Sequence, residues 1–265
     1  MKPPPFEYSA PGSVDEALAL LDDEAKVLAG GQSLVPLLNF RLARPGLLVD
    51  INGVSELAYL RRAGGALHIG ALTRQATLER SRLVQEHWPL LAHAVRMVGH
   101  PQIRNRGTVG GSVAHADPTA ELPVALSAVD ARFHARSRRG ARTLAAGELF
   151  LGPLTTALAA EELLVEIEVP PQPAGAGSAF VEHARTHGDF AIAGAAAVFA
   201  PGSHAAIALL GAGPVPVRAT EAERALVGGA SAPVAAGLAA ALVQDEHRAA
   251  LTGELVRRAI ERARP

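Results

Sequence analysis

The chain of 265 residues carries 25 Lys and Arg against 26 Asp and Glu, a net charge of −1 that offers no field for nucleic acid or an anionic membrane. Its 49% hydrophobic residues can bury a core, which excludes wholesale disorder, and its 4% aromatics leave no stacking platform for single-stranded nucleic acid. The absence of cysteine removes disulfides, thiolate zinc, a cysteine nucleophile and self-held iron–sulfur clusters, so any redox chemistry would need an organic cofactor.

The Pro-rich opening to Phe6 reads as extended, with no apolar leader, and no apolar run is long enough to cross a membrane; a cytoplasmic protein is expected. Ser13 and Glu16 stand at capping-box spacing and predict a helix that buries Ala17, Leu18 and Leu21. Val27-Leu28-Ala29 reads as a strand running into Gly30-Gly31-Gln32-Ser33, followed by helical spacing at Leu34, Leu37, Leu38 and Leu42. Residues 47–51 read as a second buried strand, completing a β-turn-α-β unit with glycines at the strand-to-helix corner. Further on, 67–69 reads as a strand and Thr73 as the cap of a helix carrying Leu78. A helix over 88–98 stops at Gly99, with Pro101 beyond. Residues 102–121 are turn-rich, 123–129 return to helix, and 163–169 alternate loosely before Pro170-Pro171. The next stretch, PQPAGAGSA, reads as a linker and sets a domain boundary. After it come three strands (179–181, 195–199, 206–210) and helices starting at Thr220, Ser231 and Glu246.

Two glycine pairs stand out. Ala29-Gly30-Gly31-Gln32-Ser33 turns a strand into a helix with no side chain to block close approach, a geometry that suits a phosphate. Thr108-Val109-Gly110-Gly111-Ser112 repeats the pattern, with His115, Asp117 and Glu121 soon after; Glu121 has the chemistry to accept from a ribose hydroxyl or an adenine amine. Either corner alone is ordinary turn chemistry, whereas two in one domain fit a ligand with two phosphates. Other signatures fail. Gly211-Ala212-Gly213 is followed by Pro214 and Pro216, which prevent the helix a dinucleotide fingerprint needs, and no Walker lysine follows any glycine cluster. GGSVA around Ser112 is not a nucleophile elbow. His183, His187 and Asp189 lack a metal-binding spacing, so no metal site and no catalytic side chain are expected.

The stretches AGGQSLVPLLNFRLARPGLLVDI (29–51) and GHPQIRNRGTVGGSVAHADPTAELP (99–123) resemble the FAD-binding medium subunit of molybdenum hydroxylases. The likeness is to the carbon monoxide dehydrogenase branch, as distinct from the fused xanthine dehydrogenases. EELLVEIEVP (161–170), ARTHGDFAIAGAAAVF (184–199) and GAGPVPVRATEAE (211–223) agree with it in order and spacing. The resemblance implies an α+β chain. Two α/β FAD-binding subdomains of the vanillyl-alcohol-oxidase type, at 1–55 and 56–171, precede a small C-terminal domain at 178–265 with a three-stranded antiparallel sheet and helices. It further implies that Leu28, Ala29, Gly30, Gly31, Gln32, Ser33, Leu34 and Val35 line the FAD diphosphate, opposed by Thr108, Val109, Gly110, Gly111 and Ser112. His115, Asp117 and Glu121 would add polar contacts, and Val98 and Leu164 would lie near the ring. The sequence departs from the family pattern at Gln32 (often His or Asn), at Glu121 (commonly Asp), at His183 and Thr186, and after Asp245, where it is shorter.

The function so implied is electron transfer through FAD. A large subunit with a molybdenum cofactor would oxidise the substrate, a small subunit with two [2Fe–2S] clusters would pass electrons on, and a small-molecule acceptor would take them from the flavin. The missing cysteines agree with that division. Two alternatives stand beside it: a free-standing FAD oxidase of the same fold, which would need its own substrate cavity, and an assembly or binding protein that has lost the flavin.

Overall fold

A computed structural model describes residues 2–264. The N-terminal unit is built from β1 (Glu7–Ser9), α1 (Val14–Ala19), β2 (Ala25–Leu28), α2 (Leu34–Asn39) and β3 (Leu47–Asp50). The three strands pair in parallel in the order β1-β3-β2. The expected cap is present in a shifted form. Ser13 Oγ accepts from Glu16 N at 3.2 Å, but the Glu16 carboxylate reaches one residue further back and accepts from Gly12 N at 2.8 Å. The inward faces of α1 and β3 (Val14, Ala17, Leu18, Val49), with Ile51 just after β3, pack against Leu72 and Leu163, which joins this unit to the next.

Two short 3-10 turns lead to the hairpin β4 (Leu60–Ala63) and β5 (Ala66–Gly70). A run of helices follows: α3 (Gln75–Arg80), α4 (Arg82–His87), α5 (Pro89–Met97), α6 (Pro101–Arg106), α7 (Val109–His115) and α8 (Glu121–Ala128). Thr73 does not cap α3 as its sequence position suggested, because its hydroxyl donates to the Tyr59 carbonyl at 2.5 Å and Arg74 takes the cap position. α5 stops at Val98 before Gly99, which sits at φ +45. The stretch expected to be turns contains two helices instead: Pro101 opens α6 at its first position, where its missing N–H costs nothing, and Thr108 caps α7. Then come β6 (Arg132–Ser137), β7 (Gly140–Ala145), α9 (Ala146–Leu149), the small pair β8 (Phe150–Gly152) and β9 (Thr155–Thr156), and β10 (Leu163–Val169). β10 returns to the middle of an antiparallel five-stranded sheet, β4-β5-β10-β6-β7.

Beyond the Pro-Gly stretch lie β11 (Gly177–His183), β12 (Ala193–Ala200), β13 (His204–Leu210), β14 (Val217–Arg218), α10 (Thr220–Val227), α11 (Ala232–Ala240) and α12 (Glu246–Arg262). The sheet has four antiparallel strands, not three; the fourth is two residues long, too short to leave a pattern in the sequence. β12 is buried along its whole length and alternates between two cores. Ala193, Ala195, Ala197 and Phe199 face α10, α11 and α12, whereas Ala196 and Val198 join the core of α5 and α8. Among the described residues no helix is long and apolar enough to cross a membrane.

Candidate cofactor site

The first glycine corner is a loop of unused donors. Gly31 turns the chain at φ +73, and Gln32 Nε2 folds back to donate to the Gly30 carbonyl at 3.0 Å. Ser33 stands at the cap position of α2 without its side chain capping anything. Among the described residues, none of the backbone N–H groups from Gly30 to Leu34 donates to a protein acceptor. Gly30 is buried. A run of open N–H groups on a turn that starts at a buried glycine has the geometry that suits an anion.

The second corner is built differently. Gly111 N donates to Thr108 Oγ1 at 3.1 Å, while Val109 N and Gly110 N donate to the carbonyls of Thr73 and Ala71, each at 2.9 Å. Its first N–H groups are therefore consumed inside the protein. Its glycines serve close packing: a Cβ on Gly110 would lie 2.7 Å from the Ala71 carbonyl oxygen. The two corners touch. A Cβ on Gly30 would lie 2.5 Å from the Arg106 carbonyl oxygen and 2.8 Å from Gly107 Cα, and one on Gly111 would come 3.7 Å from Ala29 Cβ. One corner thus offers the donors, and the other abuts it with a surface free of side chains.

A clamp absent from the sequence reading fixes this meeting. Asn52 Nδ2 donates to the Ala29 carbonyl at 2.7 Å and to Asp50 Oδ1 at 2.6 Å. Arg74 Nη2 donates to Asn52 Oδ1 at 2.8 Å, and its Nη1 to the Arg106 carbonyl at 2.5 Å. Asn52 and Arg74 therefore tie the Ala29 carbonyl, just before one glycine pair, to the Arg106 carbonyl on the chain that leads into the other. Burial and the nearby Arg106 charge hold the Arg74 guanidinium below its usual range. Burial works against the charge of Asp50, but hydrogen bonds from Tyr8 (2.6 Å) and Asn52 outweigh it and keep the carboxyl low. The signal for Asn52 was its position, an Asn-Gly pair just after the buried 47–51 strand; nothing local marks Arg74.

The remaining predicted residues form a looser set. Leu28 ends β2, and Leu34 and Val35 open α2, with Val35 exposed. His115, in the last turn of α7, is held below its usual range by burial and by Lys26 on β2, against the pull of Asp117. The Asp117 carboxylate is used locally, accepting from Thr119 N at 2.8 Å and Thr119 Oγ1 at 2.6 Å. Glu121, buried at the start of α8, is pushed up to about 7 by burial and by Asp117. Val98 lies at the end of α5, its carbonyl accepting from Arg104 Nη1 at 2.9 Å, and Leu164, on β10, is buried in the core that also holds Val109 of the second corner. Glu182 on β11 was not foreseen; burial and the Glu121 charge push it up to about 8, and its Oε2 has no partner.

The donor loop, the side-chain-free surface beside it and the polar clamp behind both fit the diphosphate of a dinucleotide such as FAD. Comparison with known proteins agrees. Residues 4–172 match the family described as the FAD binding domain in molybdopterin dehydrogenase. Over 197 residues, 73% of this chain and 67% of the other, the sequence is 52% identical to the 6-hydroxypseudooxynicotine dehydrogenase complex subunit alpha of Paenarthrobacter nicotinovorans. It is 45% identical over 197 residues, 73% of this chain and 69% of the other, to the carbon monoxide dehydrogenase medium chain of Hydrogenophaga pseudoflava. A solved structure of carbon monoxide dehydrogenase from Hydrogenophaga pseudoflava superposes with a TM-score of 0.95 at 42% identity, covering 99% of this chain and 98% of that one.

Proposed function

Because this chain belongs to the FAD-binding family of molybdopterin dehydrogenases, we propose that it is the electron-transferring medium subunit of a three-subunit molybdenum hydroxylase. Its proposed partners are a large subunit with the molybdenum cofactor, a small subunit with two [2Fe–2S] clusters, and a small-molecule electron acceptor. The chain is an oxidoreductase subunit and its cofactor is FAD. What supports the finer reading is the close approach of the two glycine corners, so tight that a Cβ added at Gly30 would meet the Arg106 carbonyl at 2.5 Å, beside a loop of N–H groups that no protein acceptor among the described residues takes up.

In this reading the backbone from Gly30 to Leu34 and the Ser33 hydroxyl hold the diphosphate, and Thr108 to Ser112 close the opposite side. Asn52 and Arg74 hold the two loops in register from behind, and Glu121, near neutral pH, can present either a proton or an acceptor. When bound, FAD supplies a centre that accepts electrons singly and releases them in pairs. The chain has no thiolate to ligate an iron–sulfur cluster, so that step is assigned to another subunit. The relatives are named for oxidations as different as those of a nicotine derivative and carbon monoxide, which supports assigning substrate choice to the large subunit in this reading.

The test uses an exposed residue of the donor loop. Ser33→Asp places a negative charge beside the diphosphate site at little folding cost, and the purified variant is expected to lose its bound flavin while Ser33→Ala keeps most of it. A yellow Ser33→Asp protein with an unchanged flavin spectrum would contradict the site. Gly111 is a poorer target, since a Cβ there would sit 2.6 Å from Thr108 Oγ1 and unseat the cap of α7.

A further inference from the structure

The open face of the five-stranded sheet carries a group of side chains for which the flavin site has no use. Glu166 and Glu168 project from β10 on one side, with Ile167 buried between them on the other. The pairing register sets His68 on β5 opposite Glu168, and His134 on β6 opposite Glu166. The side chains then meet across the diagonals: His68 Nδ1 lies 3.0 Å from Glu166 Oε1, and His134 Nε2 lies 3.2 Å from Glu168 Oε2 and 3.8 Å from Glu166 Oε1.

We propose that His68, His134, Glu166 and Glu168 bind one divalent transition-metal ion of the zinc type, pinning β5, β10 and β6 together. An ion with bonds of about 2.0–2.2 Å separates its tetrahedral ligands by roughly 3.3–3.5 Å, a spacing these atoms bracket. The ligating atoms of His68, Glu166 and Glu168 all fall within 4.8 Å of one another, and His134, outside that set, joins through the approach of its Nε2 to the two carboxylates. Two imidazoles with two carboxylates suit zinc, and not calcium or magnesium, which take oxygen alone. The outer atoms of the ligands are already held, as a metal site requires. Tyr59 OH donates to Glu166 Oε2 at 2.5 Å, and Thr143 Oγ1 lies 3.0 Å from His134 Nδ1, which turns Nε2 toward the carboxylates. Arg61, 3.8 Å from Glu166 Oε2, and Arg132, the register partner of Glu168 on β6, bring positive charge to the same group. A cavity of about 360 Å³ lined in part by Tyr59, His134, Thr143 and Glu166 gives an ion access.

Zinc chloride titrated calorimetrically into the purified full chain is expected to show one ion bound per chain and a rise in Tm with metal. His68→Ala and Glu168→Gln should each weaken binding at least tenfold. Thr143→Val, which frees the His134 ring, should weaken it about tenfold, and His187→Ala should change nothing. Cobalt(II) gives a readout from the unaltered protein, since a tetrahedral site intensifies its visible bands over the flavin background. Equal zinc affinity in wild type and a His68→Ala/His134→Ala double variant would overturn the proposal, as would a cobalt spectrum that stays that of the aquo ion.

Discussion

Single side chains at the two corners do work that their residue types alone do not announce. Arg74 satisfies two acceptors on different loops with one planar head, a geometry that a lysine cannot copy. Arg74→Lys and Asn52→Ala are each expected to cost about 1–3 kcal/mol of stability and to weaken flavin retention, read by denaturant unfolding and by flavin absorbance after gel filtration. Glu182 gives a pH-dependent counterpart. Its proton is held in the native state up to about pH 8, while the unfolded chain releases it near the ordinary carboxyl value of 4.5. The native state therefore binds more protons in that interval, so the contribution is full below about pH 4.5, declines as pH rises, and levels off above 8. Glu182→Gln should flatten that decline and raise Tm at pH 8 by roughly 2–4 °C, about 1 kcal/mol once solvent screening is allowed for. A variant whose Tm followed the wild-type pH curve would show that Glu182 ionises freely.

At the scale of elements, glycines of equal standing in the sequence have opposite roles. In the Gly30 loop a Cβ meets backbone at 2.5 Å, so Gly30→Ala must push the corner away from Arg106 and Gly107. The expected result is a lower Tm and loss of flavin. Gly237, inside α11, has open space at its Cβ position and helical backbone, so Gly237→Ala should stabilise by about 0.5–1 kcal/mol in the same assay. Thr108 holds the start of α7, and Thr108→Ala should cost about 1 kcal/mol as the Gly111 N–H loses its acceptor. The Ser13 cap and the stop of α5 at Gly99 were legible because those signals act within one turn. The helices α6 and α7 were not, since Gly107, Gly110 and Gly111 read as turn residues until contacts from Gln75, Ala71 and Ala29 hold them in place.

For the molecule as a whole, the alanine-rich sheet after residue 176 does not stand apart. Phe180, Ala196, Val198, Ala206, Ala208 and Leu210 share one core with Leu90, Val95, Leu122 and Leu126. Arg218 adds polar ties across the same boundary, donating to the Ser127 carbonyl at 2.9 Å and to Asp130 Oδ1 at 2.6 Å. Shared burial of this kind couples unfolding, so far-UV and near-UV signals are expected to report a single coincident thermal transition. Two separated transitions would mean that the C-terminal part folds on its own core, the one it forms with α10, α11 and α12.

The sequence by itself determined the chemistry that is excluded, the order of most strands and helices, both glycine corners and the family they belong to. Those features depend on composition or on residues within a few positions of one another, where spacing carries the physics. Only the tertiary structure decided that the corners touch, that one supplies donors while the other is already satisfied, and that Asn52 and Arg74 fasten them. It also decided that His68, His134, Glu166 and Glu168 share one face, although up to 100 positions separate them. Strand pairing brings such residues together through backbone register, and no local pattern encodes which distant strand will lie alongside.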